Sequence, residues 1–119
     1  MAKIKIFRGD TFSGTITLRT VDVIDSTKLN TYVIPAGAQI DLKFPGSSGT
    51  VVLSTTTPGE ITILNADKGT LQYKGSSAKS ALLNVGDAQP IDLIVTELSG
   101  DITTFEKLKI LQVLDRANQ

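Results

Sequence analysis

Apolar residues recur at every second position in short runs along this chain, and each run is closed by Gly, Pro, Asn or Asp. A period of two puts apolar side chains on one face of an extended strand and polar ones on the other. Ile4 and Ile6 alternate with Lys3 and Lys5 before Gly9-Asp10. Thr15-Ile16-Thr17-Leu18-Arg19 forms a second run, whose pattern continues through Val21 and Val23. Residues 25 to 33 mix Asp, Ser, Asn and Thr and read as a longer connection leading to Tyr32-Val33-Ile34-Pro35. Ile40, Leu42 and Phe44 alternate with Asp41 and Lys43 until Pro45-Gly46-Ser47-Ser48-Gly49, and Val51-Val52-Leu53 follows up to Thr57-Pro58-Gly59. Ile61-Thr62-Ile63 and Leu71-Gln72-Tyr73 flank Asn65-Ala66-Asp67-Lys68-Gly69, a hairpin signal in which Gly69 supplies the positive φ. Ile91-Asp92-Leu93-Ile94-Val95 is apolar at four of its five positions, as a central strand would be, and Ser99-Gly100-Asp101 turns it into Ile102-Thr103-Thr104-Phe105.

Two segments depart from this rhythm. Residues 76 to 83 predict a short helix capped by a serine and ending near Gly86. Residues 105–114 fit both periods: Leu108, Ile110 and Gln112 alternate with Lys107 and Lys109, while Leu108, Leu111 and Leu114 stand three apart. The strand reading is favoured, because no cap precedes the run and the last strand of a sandwich needs a partner. The sum is about eight or nine strands at the spacing expected of a sandwich or barrel, all-β apart from one short helix near 77–83. No fixed-period repeat or linker divides the 119 residues, so a single domain over 1–119 is expected.

Composition narrows the function classes. There is no cysteine and no histidine, which removes disulfides, thiolate metal ligands and the usual general base. Twelve acidic residues balance twelve basic ones, so no global field attracts nucleic acid or anionic lipid. Four Phe, two Tyr and no Trp leave little for base-stacking or for an aromatic sugar platform. Twenty-four residues are Ser or Thr, many within apolar runs, which favours strands. The N-terminus lacks the apolar segment of a signal peptide, and no run approaches the ~18 apolar residues of a membrane-spanning helix. The chain is therefore expected to be made in the cytosol, with no membrane, nucleic-acid or small-molecule partner.

Each candidate for chemistry has a plain alternative. Arg8-Gly9-Asp10 is the tripeptide displayed by integrin ligands, but between two strands Gly9 permits a tight turn and Asp10 accepts backbone hydrogen bonds. Asn65-x-Asp67-x-Gly69 faintly resembles a calcium loop; its glycine comes fifth rather than sixth, and Ser76 stands where the twelfth-position glutamate belongs. The carboxylates Asp22, Asp25, Asp41, Asp87, Asp92, Glu97 and Asp101 show no pairing in sequence. Asp92 interrupts an apolar run and, on a central strand, calls for a partner such as lysine, arginine or backbone amides. No Gly-x-Ser-x-Gly elbow, P-loop or dinucleotide fingerprint occurs. The expectation is a chain with no catalytic, cofactor-binding or metal-ligating residue.

A family resemblance adds to this. Arg8-Gly9-Asp10-Thr11-Phe12 followed by Gly14-Thr15-Ile16-Thr17-Leu18 resembles the opening of immunoglobulin-like N-terminal domains in phage baseplate and tail-fibre-associated proteins. Ala38-Gln39-Ile40-Asp41-Leu42-Lys43-Phe44, Gly59-Glu60-Ile61-Thr62-Ile63 and Gln89-Pro90-Ile91-Asp92-Leu93-Ile94-Val95 are similar to later segments, in the same order. The resemblance implies an immunoglobulin-like antiparallel β-sandwich. It also implies a structural role in the tail, baseplate or neck of a virion, with other virion proteins and further copies of the chain as partners. The family domain usually heads a longer protein, so the 119 residues are expected to be one domain of such a protein or a small virion protein in its own right. A virion part leaves the cell by lysis and needs no export signal, and a cysteine-free chain suits passage from reducing to oxidising surroundings. The alternatives are a carbohydrate-binding or adhesion module, which would show exposed aromatics on one face, and a capsid decoration protein. A small hydrolase working with two carboxylates is a further, weaker alternative.

Overall fold

The alternating runs form strands, because each buries its apolar side against a second layer while its polar side meets water. The computed structural model describes residues 3–21, 24 and 29–114. Within them lie β1 (Lys3–Phe7), β2 (Phe12–Thr17), β3 (Arg19–Val21), β4 (Leu29–Thr31), β5 (Gln39–Gly46), β6 (Gly49–Ser54), β7 (Ile61–Asn65), β8 (Thr70–Gly75), β9 (Gly86–Thr96) and β10 (Ile102–Leu114). One helical turn, α1 (Ser77–Ser80), joins β8 towards β9. No helix among the described residues is long and apolar enough to cross a membrane.

The strands make a five-stranded sheet in the order β1-β10-β9-β5-β6, a three-stranded sheet β2-β8-β7 and a small ribbon β3-β4. With β2 and β5–β10 taken in turn as strands B, C, C′, D, E, F and G, this is G-F-C-C′ over B-E-D. That is the strand order of an immunoglobulin sandwich. Tryptophan and the inter-sheet disulfide of antibody domains are missing, so packing alone holds the sheets together.

Every neighbouring pair is antiparallel except one: β1 runs parallel to β10, with Lys3 opposite Ile110 and Phe7 opposite Leu114. The expected antiparallel arrangement gives way there because the chain leaves β1 for the other sheet instead of folding back beside it. The ten strands exceed the expected eight or nine because the connection after residue 18 contains β3 and β4. The second run breaks at Leu18, whose side chain is buried in the core. Its expected continuation through Val21 is β3, set off from β2 at Leu18, while Val23 lies outside the described residues, as do Asp22 and Asp25.

One cluster forms the core. The five-stranded sheet contributes Ile6, Ile40, Leu42, Phe44, Val51, Leu53, Ile91, Leu93, Val95, Leu111 and Val113, at alternate positions of each strand. The facing sheet contributes Ile16, Ile61, Leu71 and Tyr73. Each such side chain stabilises the fold by about 1.5–3 kcal/mol before chain entropy is charged against it. Along the β2–β8 ladder, aromatics face glycines. Phe12 lies opposite Gly75 and Tyr73 opposite Gly14, and a β-carbon at either glycine would overlap the ring. This packing brings the Phe12 and Phe44 rings to 5.5 Å, edge to face. The helix expected over 76–83 and ending near Gly86 is shorter: α1 stops at Ser80, Leu83 bridges to Gly46, and Gly86 opens β9. Its cap is Ser76, whose Oγ accepts the Lys79 N–H at 3.2 Å.

Candidate interaction surfaces

Arg8-Gly9-Asp10 forms the turn that carries the chain from β1 to β2. The Asp10 N–H donates to the Phe7 carbonyl at 3.0 Å, and Gly9 has φ +96°, which a residue with a side chain seldom adopts. The backbone is tied on both sides. The Arg8 N–H donates to the Leu114 carbonyl at 2.8 Å, and the Gly9 N–H donates to Ser80 Oγ at 3.0 Å. Ser80 is 0% exposed, and its hydroxyl in turn donates to the Phe7 carbonyl at 3.4 Å. Arg8 and Asp10 are half-buried. The tripeptide is thus fastened to β10 and α1 rather than held out on a free loop.

Residues 65–69 form a tight connection between β7 and β8. A 3-10 turn spans Ala66–Lys68, and Gly69, at φ +69°, donates its N–H to the Ala66 carbonyl. The Asn65 side chain makes no capping bond, and Asp67 is exposed.

The carboxylates are dispersed. Asp41 and Asp92 stand half-buried on the outer face of the five-stranded sheet, at polar positions between core residues. Strand register sets Asp92 directly opposite Lys43 of β5, so residues of opposite charge are cross-strand neighbours there. Asp41 accepts two bonds from Gln39 Nε2, at 3.0 and 3.3 Å. Asp87 takes a bond from Gln112, and Glu97 and Asp101 flank the β9–β10 turn. Among the described residues, no three of His, Cys, Asp and Glu come close enough to hold a metal ion.

The most developed polar group is one that the linear pattern did not single out. Glu60, 9% exposed, accepts the Ser54 N–H at Oε1 (3.0 Å), and its Oε2 lies 2.5 Å from Lys79 Nζ. Lys79 Nζ also donates to the Val52 carbonyl at 2.7 Å. Val52 and Ser54 are two apart on β6, so both bonds fall on the outer edge of that strand. An ammonium and a carboxylate thus stand where a neighbouring strand's amide and carbonyl, respectively, would be. Beside this pair lies an open cleft of about 500 Å³, lined by Thr11, Thr57, Pro58, Gly59, Lys74 and Ser76 among others. It has no aromatic wall.

Five of the six aromatics pack on one another in or against the core, and the sixth, Phe7, lies under the Lys5 ammonium at 5.6 Å. Tyr73, 3% exposed, lies 6.4 Å from both Phe12 and Phe44, and burial pushes its phenol above the ordinary tyrosine pKa. Tyr32 stacks edge-on against Phe105 at 5.1 Å. The exposed apolar side chains are aliphatic and concentrated at one end. Ile24 (93%), Leu29 and Val33 belong to the β3–β4 region, and Leu98 (83%) and Ile102 flank the β9–β10 turn. The Leu98 side chain lies beside Gly37, in the segment that leads from β4 to β5.

In sequence comparisons the chain matches no protein-family model and no curated protein.

Proposed function

We propose that this chain is a structural protein of a bacteriophage or prophage particle, in the tail, baseplate or neck, and that it works as a protein–protein docking module. The observation that carries the reading is the aliphatic group at the β3–β4 and β9–β10 end, with Ile24 and Leu98 almost fully in water. Isolated exposed apolar residues are ordinary on any surface, but a concentration of them around one end of a sandwich fits a contact surface. The surrounding chemistry agrees. Apart from Glu60, which is tied to Lys79, the carboxylates among the described residues are scattered, and five of the six aromatics pack in or against the core instead of forming the platform a carbohydrate module uses. The resemblance of Arg8-Gly9-Asp10-Thr11-Phe12 and the later segments to phage immunoglobulin-like domains supplies the assignment to a virion.

Such a module acts by shape. Its loops and edges fix neighbouring subunits in register without a chemical step. Electron microscopy of purified particles labelled with an antibody to this chain tests the reading. Label on the tail, baseplate or neck is the expected result. Label on the capsid shell would make the chain a decoration protein, and unlabelled particles from a strain that expresses the chain would overturn the proposal.

A further inference from the structure

The two large sheets, apart from the β3–β4 ribbon, have four edges among the described residues, and each unpaired edge is a template for another strand. Three of the four are guarded. The β6 edge is occupied by Lys79 Nζ on the Val52 carbonyl and Glu60 Oε1 on the Ser54 amide. The β1 edge carries Lys3 and Lys5, and charge on an edge strand disfavours pairing. The β7 edge is broken by a register shift between Ile63 and Asn65, where the strand ends. The β2 edge has none of these devices: Phe12-Ser13-Gly14-Thr15-Ile16-Thr17 contains no charge and no proline, and its pairing with β8 is regular throughout.

The backbone direction along β2 follows from one bond. The Leu18 N–H donates to the Gly69 carbonyl on the β8 side, so by the alternation of an antiparallel ladder Phe12, Gly14 and Ile16 also face β8. Ser13, Thr15 and Thr17 therefore turn their N–H and C=O groups away from it. Among the described residues these groups have no backbone partner, and all three side chains are exposed.

We propose that the β2 edge pairs antiparallel with β2 of a second copy of this chain, giving a two-fold dimer with one continuous six-stranded sheet. The strand is complementary to itself. A two-fold axis through Thr15 sets Thr15 against Thr15 and Ser13 against Thr17, hydroxyl facing hydroxyl on the outer face, with about six inter-copy backbone hydrogen bonds. With twelve positive and twelve negative residues, no net charge opposes the approach of two copies. Assembly of the large sheets stops at two, because β2 is consumed and their other three edges are guarded. Edge pairing of one short strand buries less surface than a standard interface, so the dimer dissociates on dilution. The proposal concerns the isolated chain and stands whether or not the virion reading holds.

Sedimentation velocity on the full chain across a dilution series from millimolar to micromolar tests it. The wild type should pass from dimer to monomer, with no larger species. Thr15→Pro removes an outward N–H without touching the β8 ladder, so it should leave a folded monomer at every concentration. Thr15→Lys sets two like charges against each other at the axis and should do the same, which keeps the test decisive if the proline variant fails to fold. A wild type that is monomeric throughout, or a dimer that survives Thr15→Lys, would overturn the proposal.

Discussion

The two ends of the sandwich differ in how they treat their loose groups. At the α1 end, polar atoms are joined across elements. Ser80 holds the Gly9 turn, Glu60 and Lys79 close the β6 edge, the Ser47 N–H donates to the Leu82 carbonyl at 3.0 Å, and the Asn84 N–H donates to the Pro45 carbonyl at 3.1 Å. At the β3–β4 end, the connections leave Ile24, Leu29, Val33, Leu98 and Ile102 in water, where their apolar area adds nothing to folding. The division is not absolute, since Leu82 and Val85 are also exposed at the α1 end. It still separates an end whose crossovers are joined by hydrogen bonds from an end that leaves apolar side chains exposed.

Substitutions can break that contrast, and the largest effect is expected at Glu60. Glu60→Ala leaves Lys79 without its carboxylate, with only the Val52 carbonyl to accept from it, and leaves the buried Ser54 N–H without its acceptor. The chain should lose about 2–4 kcal/mol, read from urea unfolding. Ser80→Ala strands the Gly9 N–H and should cost about 1–2 kcal/mol in the same assay.

Those two residues mark the limit of what the linear pattern reveals. Alternation exposes Ile40, Leu42 and Phe44 or Leu71 and Tyr73 as core because the signal is local and repeats within one strand. The Ser76 cap and the Gly69 turn are legible for the same reason: each depends on neighbours a few residues away. Glu60 and Lys79 meet only because the β6–β7 and β8–β9 connections cross the same side of the sandwich, and no short-range spacing encodes that. Ser80 meets the β1–β2 turn across 71 positions of sequence, which no local pattern marks. Likewise, the pairing of β1 with β10 shows only in the assembled sheets.

Tyr73 sharpens the contrast by a smaller amount. Its phenol titrates higher in the folded chain than in the unfolded one, so its contribution is fully present below the unfolded value near pH ~10 and is lost as pH rises through the folded value. Unfolding followed between neutral pH and pH ~11 should show this decline, less steep in Tyr73→Phe. The smallest effect is expected at the other end, where Leu98→Ser should change stability by less than about 0.5 kcal/mol, because the side chain is already in water.

The division of labour between the two ends is tested most directly by placing charge on the open one. In particles assembled with Leu98→Asp, Ile102→Asp chain in place of the wild type, the amount of the chain per particle can be measured by quantitative immunoblot, with circular dichroism confirming the strand spectrum of the free protein. The prediction is a folded chain that is missing from the particles. Incorporation at the wild-type level would contradict it.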